Sequence, residues 1–305
     1  MATRSSSERR KSKASSPGGR RSSRPHPGSD TGAKDAPTPR ALAIAAHPDD
    51  IEFVMAGTLL MLQRAGWEIH CLNIANGNLG SMTIPPARLA RVRRREAQAA
   101  AKVLDAVWHP PLCNDLGIFY DDRTLRRVSA VVRSVAPTVI LTHSPQDYME
   151  DHMITARLAL TAAFARASPG FRTIPARPGV EVPVTVYHAS PPGMRDGLRR
   201  RLPPGAFVNT TPAHEQKTAA LACHESQRQW LDASQNMDDY VRTMDEFSRM
   251  IGKLSGAFRH AEGWRRHLHF GYCAEDADPL RSALGKDYRI NKAYERGLRV
   301  ERGHV

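Results

Sequence analysis

A short apolar run, Ala41-Leu42-Ala43-Ile44-Ala45-Ala46, passes directly into His47-Pro48-Asp49-Asp50. Pro37 and Pro39 stand before it. Consecutive apolar residues bounded by turn signals predict a strand buried on both faces, as found inside a parallel sheet, and such a strand needs helices covering it on both sides. The residues that follow supply them. Val54, Leu59 and Leu62 give Ile51 to Ala65 a helical spacing closed by Gly66, and Glu68 to Ala75 reads as a second strand leading into Asn76-Gly77-Asn78-Leu79-Gly80. A charged helix is expected over 87–105, a third strand over Ala106 to Trp108, a helix over Leu125 to Val135, a strand over Thr138 to Thr142, and a helix from Asp151 to Ala167. This alternation predicts an α/β, Rossmann-like fold, a mostly parallel sheet with helices on both faces.

Beyond it, Pro169 to Pro204 reads as surface loops around one strand, Val182 to His188. Helices are expected over Pro212 to Ala233 and Asp238 to Leu254, followed by a segment rich in aromatics and histidine, Trp264 to Tyr272.

The net charge of +13 is unevenly spread: ten Lys/Arg against three acidic residues in positions 1–40 leave +7 there and +6 over the other 265 residues. The segment 1–39 is nearly free of apolar side chains, so it is expected to be a disordered basic tail, with 40–305 forming one catalytic domain. No apolar stretch follows Arg9-Arg10-Lys11 or Arg20-Arg21, and no run reaches the length of a membrane span. A cytoplasmic location without a membrane span is therefore expected. Cys71, Cys113, Cys223 and Cys273 are far apart with no CxxC pair, which argues against a disulfide framework and against a thiolate metal site.

Ligands bind at the carboxyl ends of strands in open α/β sheets, so His47 to Asp50 lies where a site belongs. Imidazole and carboxylate are good zinc ligands, and a catalytic zinc keeps three protein ligands and one open position. His47 and Asp50 offer two ligands. Asp49 between them could take a proton from water, although Asp49 or Asp50 could equally cap the next helix. The strand Thr138 to Thr142 ends in a second dense set, His143-Ser144-Pro145-Gln146-Asp147-Tyr148-Met149-Glu150-Asp151-His152. His152 would complete a His-Asp-His site, or be a solvated histidine in the first turn of a helix. Asp147 and Asp151 are candidates to orient a ligand histidine through its second nitrogen, or to cap. Among Arg93, Arg94 and Arg95, one guanidinium could meet a sugar or an anionic group. His267 and His269 share a face if extended and read as core or surface residues.

These residues resemble the LmbE-like, or PIG-L, family of zinc-dependent N-deacetylases. The family's first motif, Ala-His-Pro-Asp-Asp-x-Glu, is matched from Ala46 through Glu52 without a change. Its second, His-Pro-Asp-His, meets Met149-Glu150-Asp151-His152 here; weaker likeness continues in Arg93-Arg94-x-Glu96, in Lys217 and in His224-Glu225-Ser226-Gln227, so that it spans about residues 41 to 235. The resemblance implies His47, Asp50 and His152 as metal ligands, Asp49 as general base, and an N-acylated sugar or glycoconjugate as substrate. Zn2+ is the expected cofactor, and Fe2+ would fit the same nitrogen and oxygen donors.

Met149 departs from the family, because a thioether can neither stabilise an oxyanion nor protonate a leaving amine. Either His143, Tyr148 or a C-terminal histidine takes that part, or Asp49 shuttles the proton both ways, or activity is lost. The site set expected from sequence is therefore Asp49, Asp151 and His143 for catalysis, Arg93 and Tyr148 for substrate, and the His47-Asp50-His152 triad for metal. Two other readings stand beside it: a catalytically silent zinc protein, and a protein that binds polyanions weakly through its basic tail, which lacks aromatics for base stacking. The sequence is silent on the oligomeric state.

Overall fold

The computed structural model describes residues 37–227 and 240–301. The tail segment 1–36 lies outside them, as do residues 228–233 of the helix expected over 212–233. The compact unit begins at Thr38.

In chain order the elements are β1 (Arg40–Ala45), α1 (Asp50–Val54), α2 (Ala56–Arg64), β2 (Glu68–Asn73), α3 (Pro86–Val103), β3 (Val107–His109), α4 (Asp122–Val135), β4 (Val139–Thr142), α5 (Glu150–Phe164), β5 (Thr185–Ala189), β6 (Ala206–Asn209), α6 (His214–Leu221), α7 (Tyr240–Ser255), β7 (Ala261–Arg266), α8 (Pro279–Leu284), β8 (Tyr288–Ile290) and α9 (Lys292–Glu301). The strands form one sheet in the order β3-β2-β1-β4-β5-β7-β6-β8. The pairings from β3 through β5 are parallel, and β7, β6 and β8 add an antiparallel flank.

β1 sits among the parallel strands, and its side chains alternate between the two layers of core as a doubly covered strand requires. Ala41, Ala43 and Ala45 face α1, α2 and α7 through Ile51, Leu59, Met244 and Phe247. Leu42, Ile44 and Ala46 face α4 and α5 through Val128, Val132, Leu158 and Ala162. The expected α/β class with a mostly parallel sheet is the observed one. Its antiparallel flank was not legible: β6 and β8 have only four and three residues, too few to show a period. Of the histidine-rich segment only Trp264, Arg265 and Arg266 are strand.

The helix expected over 51–65 is two helices, broken at Met55. The cause lies far away in sequence. Glu262 on β7 presents its carboxylate to the start of α2, where Oε1 accepts the Gly57 N–H and Oε2 the Thr58 N–H, each at 2.8 Å. These are donors that a helix start leaves without intrahelical partners, and a carboxylate there also meets the positive end of the helix dipole. The Nζ of Lys217 closes the group at 2.7 Å from Oε1, with both side chains buried. A β-carbon at Gly57 would come within 2.5 Å of Thr210, so the close approach of the residue after β6 requires glycine. Among the described residues no helix is long and apolar enough to cross a membrane.

A buried charge stripped of its partner is far more costly than a surface ion pair broken. Lys217→Ala is therefore expected to destabilise the protein by roughly 3–5 kcal/mol. Urea denaturation of the two proteins checks this, and a loss below about 1 kcal/mol, the scale of an exposed pair, would show that the pair is not a buried one in solution.

Candidate active site

The chain leaves β1 through a turn that no ordinary loop would adopt. Asp49 sits at φ 108° and ψ −27°, in the left-handed region that disfavours a side chain. Such a residue costs on the order of 1–3 kcal/mol and persists only when its surroundings fix it. Here they do. Asn73 at the end of β2 donates its side-chain amide to the His47 carbonyl at 2.6 Å, and the Arg93 guanidinium of α3 donates to the Pro48 carbonyl. The same guanidinium lies 3.6 Å from Asp49 Oδ1. Gly77, at φ 73°, makes room for it, since a β-carbon there would stand 2.5 Å from Arg93 Nε.

This turn aims Asp50 between three histidines. His47 Nδ1 lies 3.4 Å from Asp50 Oδ2, and His152 Nε2 lies 3.4 Å from Oδ1. His143, at the end of the neighbouring β4, brings Nε2 to 3.3 Å from Oδ2. The outer nitrogens of the first two are engaged. His47 Nε2 pairs with Asp151 at 3.0 Å, and His152 Nδ1 pairs with Asp147 at 3.1 Å. With bonds of 2.0–2.1 Å, tetrahedral zinc spaces its donors about 3.4 Å apart, and a ligand histidine almost always donates its other N–H to a carboxylate or carbonyl. His47, Asp50 and His152 fit a divalent ion on both counts. His143, Asp147 and His152 also lie close together, with Asp147 Oδ1 paired to His152 Nδ1.

Of the two carboxylates expected to orient a ligand histidine, the structure gives Asp151 to His47 and Asp147 to His152. The reason is helical geometry: His152 occupies the first turn of α5 and points back over the preceding loop, where Asp147 Oδ1 also accepts the N–H groups of Tyr148 at 2.7 Å and Met149 at 3.2 Å. Asp151 reaches outward to His47 and takes the Leu116 N–H at 3.2 Å.

The other expected residues separate into two groups. His143 is buried and stacks on His152 with centroids 4.0 Å apart, while its Nε2 accepts the Ala46 N–H at 3.0 Å. Tyr148 is half exposed, edge-on to His152, and lines the pocket. Arg93 is 1% exposed and committed to the Asp49 turn, with Nε and Nη1 unpaired among the described residues. Arg94 lies over the Trp108 ring on the outer face of α3, and Arg95 is exposed. His267 pairs with His188 at 3.1 Å, and neither it nor His269 lines the pocket.

Sequence reasoning missed Tyr240 and Asp115. Tyr240, at the start of α7, stacks on Phe53 at 5.4 Å and hydrogen-bonds Asp49, contacts that nothing local in the sequence foretells. Asp115 Oδ1 and Oδ2 accept the N–H groups of Gly77 at 2.7 Å and Leu79 at 2.9 Å, fixing the glycine loop. A signal existed for it, since Asn114-Asp115 follows the third parallel strand. The cavity above these groups holds about 630 Å3, with Phe53, Val54, Leu79, Leu116, Pro191 and Pro192 among its apolar walls.

Burial lifts the Asp49 carboxyl above its ordinary range, with Arg93 opposing. Asp50 moves the other way: burial would raise it, but His152 and His143 hold it well below the usual carboxylate range. Burial alone would lower both His47 and His152. The hydrogen bonds and charge of Asp151 and Asp50 hold His47 at about 10, and Asp50 and Asp147 hold His152 at about 9.

The family model described as PIG-L: GlcNAc-PI de-N-acetylase matches residues 42–163. The matched span contains His47, Asp49, Asp50, His143, Asp151 and His152. A 4-oxalmesaconate hydratase of Pseudomonas putida is 27% identical over 205 residues, covering 63% of this chain and 76% of the relative. A diacetylchitobiose deacetylase of Thermococcus kodakarensis is 26% identical over 232 residues, covering 74% and 82%. The structure of N,N'-diacetylchitobiose deacetylase from Pyrococcus horikoshii shares the fold, with a TM-score of 0.63 at 21% identity over 80% of this chain and 89% of the other.

In the metal-free chain the raised values mean that these two imidazoles hold their protons at neutral pH. Their contribution to stability is then full below the unfolded value near 6.5 and is lost as pH rises through about 9 to about 10. A divalent ion needs the lone pairs those protons occupy, so binding near pH 7 should release about one to two protons per ion, and affinity should rise as pH climbs toward 9. Calorimetry in two buffers of different ionisation heat measures this. Binding without proton release would exclude His47 and His152 as the ligands.

Proposed function

We propose that this protein is a metal-dependent amide hydrolase that removes an N-acetyl or related acyl group from an amino sugar or glycoconjugate, using a zinc ion held by His47, Asp50 and His152. One observation carries the reading: His47 and His152 each lie 3.4 Å from Asp50, the three donors converge within 4.8 Å, the outer nitrogens of the two histidines are fixed by Asp151 and Asp147, and the buried Asp49 stands beside them. The PIG-L match and the deacetylase relatives support the reaction and the sugar substrate. When bound, the ion supplies Lewis acidity, lowering the pKa of water and polarising the amide carbonyl. Fe2+ suits the same donors, since geometry and availability decide between them.

The remaining work falls to side chains. Asp49, raised by burial toward the working pH, accepts the proton of the attacking water. Arg93 and Tyr240 keep its carboxylate in place. Asp151 and Asp147 orient the two imidazoles, and the apolar walls exclude bulk water. Cleavage of the carbon–nitrogen bond yields a carboxylate and an amine, and the amine nitrogen must gain a proton. Met149, the residue before α5, lies at the pocket wall and has no proton to give. Tyr148 has one, because burial pushes its phenol up and keeps it protonated. It is better placed than His143, whose Nε2 already accepts the Ala46 N–H. The basic segment 1–39 takes no part in the chemistry of the catalytic domain 40–305 in this reading, and its charge suits weak, salt-dependent contact with polyanions.

The hydratase relative favours a second reading, addition of water across a carbon–carbon double bond. Both reactions begin with a proton taken from water, but only the amide route liberates an amine. Amine release from N-acetylated amino sugars, measured beside loss of alkene absorbance from unsaturated carboxylates, separates them.

Asp49→Asn keeps the shape and removes the proton acceptor, so amine release should fall by roughly two to four orders of magnitude with metal content unchanged. Full activity in that variant would place the base elsewhere. Tyr148→Phe should lower kcat by roughly a hundredfold with KM little altered, because the hydroxyl acts on the leaving group rather than in binding. If Tyr148→Phe is silent while Met149→His accelerates the enzyme, the proton donor is absent from the native site and the role given to Tyr148 is wrong.

A further inference from the structure

A second set of convergent ligands lies outside the catalytic pocket. His214 opens α6, Asp245 lies in α7, and His260 is the residue before β7. His214 Nε2 is 2.8 Å and His260 Nε2 is 3.0 Å from the same oxygen, Asp245 Oδ1. The two rings stack, with centroids 3.7 Å apart and planes 9° from parallel. None of the three residues lines the active-site pocket. The geometry points to a second divalent-cation site, selective for zinc-like ions, built from His214, Asp245 and His260.

Two imidazoles and one carboxylate form a donor set of the kind that holds zinc, and the fourth position would face solvent. The donor atoms lie within 4.8 Å of one another, so a shift of about half an ångström opens the 2.8 and 3.0 Å contacts to the spacing of about 3.4 Å that tetrahedral zinc needs. The supporting contacts are already in place. Asp245 Oδ2 accepts from Arg249 Nε at 2.7 Å, leaving Oδ1 to the site. His260 is pinned on both sides of its backbone: its N–H donates to Thr211 Oγ1 at 3.0 Å, and its carbonyl accepts from the Thr210 N–H at 3.0 Å. Burial keeps both imidazoles below the ordinary histidine range against the pull of Asp245, and neutral imidazole is the form that ligates.

His214 Nδ1 and His260 Nδ1 are buried with no hydrogen-bond partner among the described residues. An ion at the Nε2 side adds a strong bond to each ring in place of a shared acceptor. Its structural effect would be to tie α6 to α7, whose Tyr240 and Thr243 line the pocket.

The test counts ions. The full chain is equilibrated with Zn2+ by dialysis and its content measured beside Asp245→Asn, an isosteric change, and beside His47→Ala. Asp245→Asn should lose about one ion per chain relative to the parent, and the Asp245→Asn, His47→Ala double variant should lose both. The loss in Asp245→Asn is expected whether or not the catalytic site loads, so failure of the function proposed above would show separately, as an unchanged count in His47→Ala. On the unmutated chain, Zn2+ should protect His214 from diethyl pyrocarbonate, read by mass spectrometry. An equal zinc content in parent and Asp245→Asn, or undiminished modification of His214 in saturating Zn2+, would overturn the site.

Discussion

The candidate site depends on a single carboxylate held under strain. Asp50 lies within 3.4 Å of nitrogens on His47, His143 and His152, which come from three separate places in the chain. Its oxygens can meet them only because Asp49, one residue earlier, takes a left-handed conformation that turns the chain sharply off β1. The strain is offset by contacts from β2 and α3, and those contacts carry chemical consequences. The guanidinium that secures the turn also faces Asp49, and the glycine that admits the guanidinium belongs to the loop that Asp115 fastens. Removing any one of these loosens a reactive group as well as a loop.

Parallel strands supply the frame for this arrangement. β1 and β4 are neighbours in register, so their carboxyl ends deliver His47 and His143 side by side, and α5 returns His152 above them. Acidic residues in the first turn of α5 suit a helix start on electrostatic grounds alone, and here one of them, Asp151, is also the partner of His47. The antiparallel flank contributes from the far side. Glu262 of β7 breaks the first helix at Met55 and thereby sets where α1 ends and how the motif turn meets the core.

Much of this could be read from residues alone, and the boundary between what could and could not has a physical cause. The buried strand, the motif after it and the second ligand cluster are local patterns, and each is found where the pattern put it. The break at Met55, the stacking of Tyr240 on Phe53, and the division of Asp147 and Asp151 between the two histidines depend on which distant elements become neighbours. Periodicity carries no such information. The short strands β6 and β8 escaped for a different reason: three or four residues give no period to detect. The His214, Asp245 and His260 group has the same character, since its members are dispersed over 47 positions of sequence and meet only in the fold.

What most directly tests the central claim is the position of the ion itself. Crystals of the zinc-loaded protein, measured on both sides of the zinc absorption edge, should show an anomalous peak bonded to His47 Nδ1, Asp50 and His152 Nε2, with Asp49 nearby but not a ligand and Asp151 and Asp147 still on the outer nitrogens. A peak coordinated by Asp49, or by His143 in place of His47, or the absence of any peak between these residues in protein that retains zinc, would contradict the account.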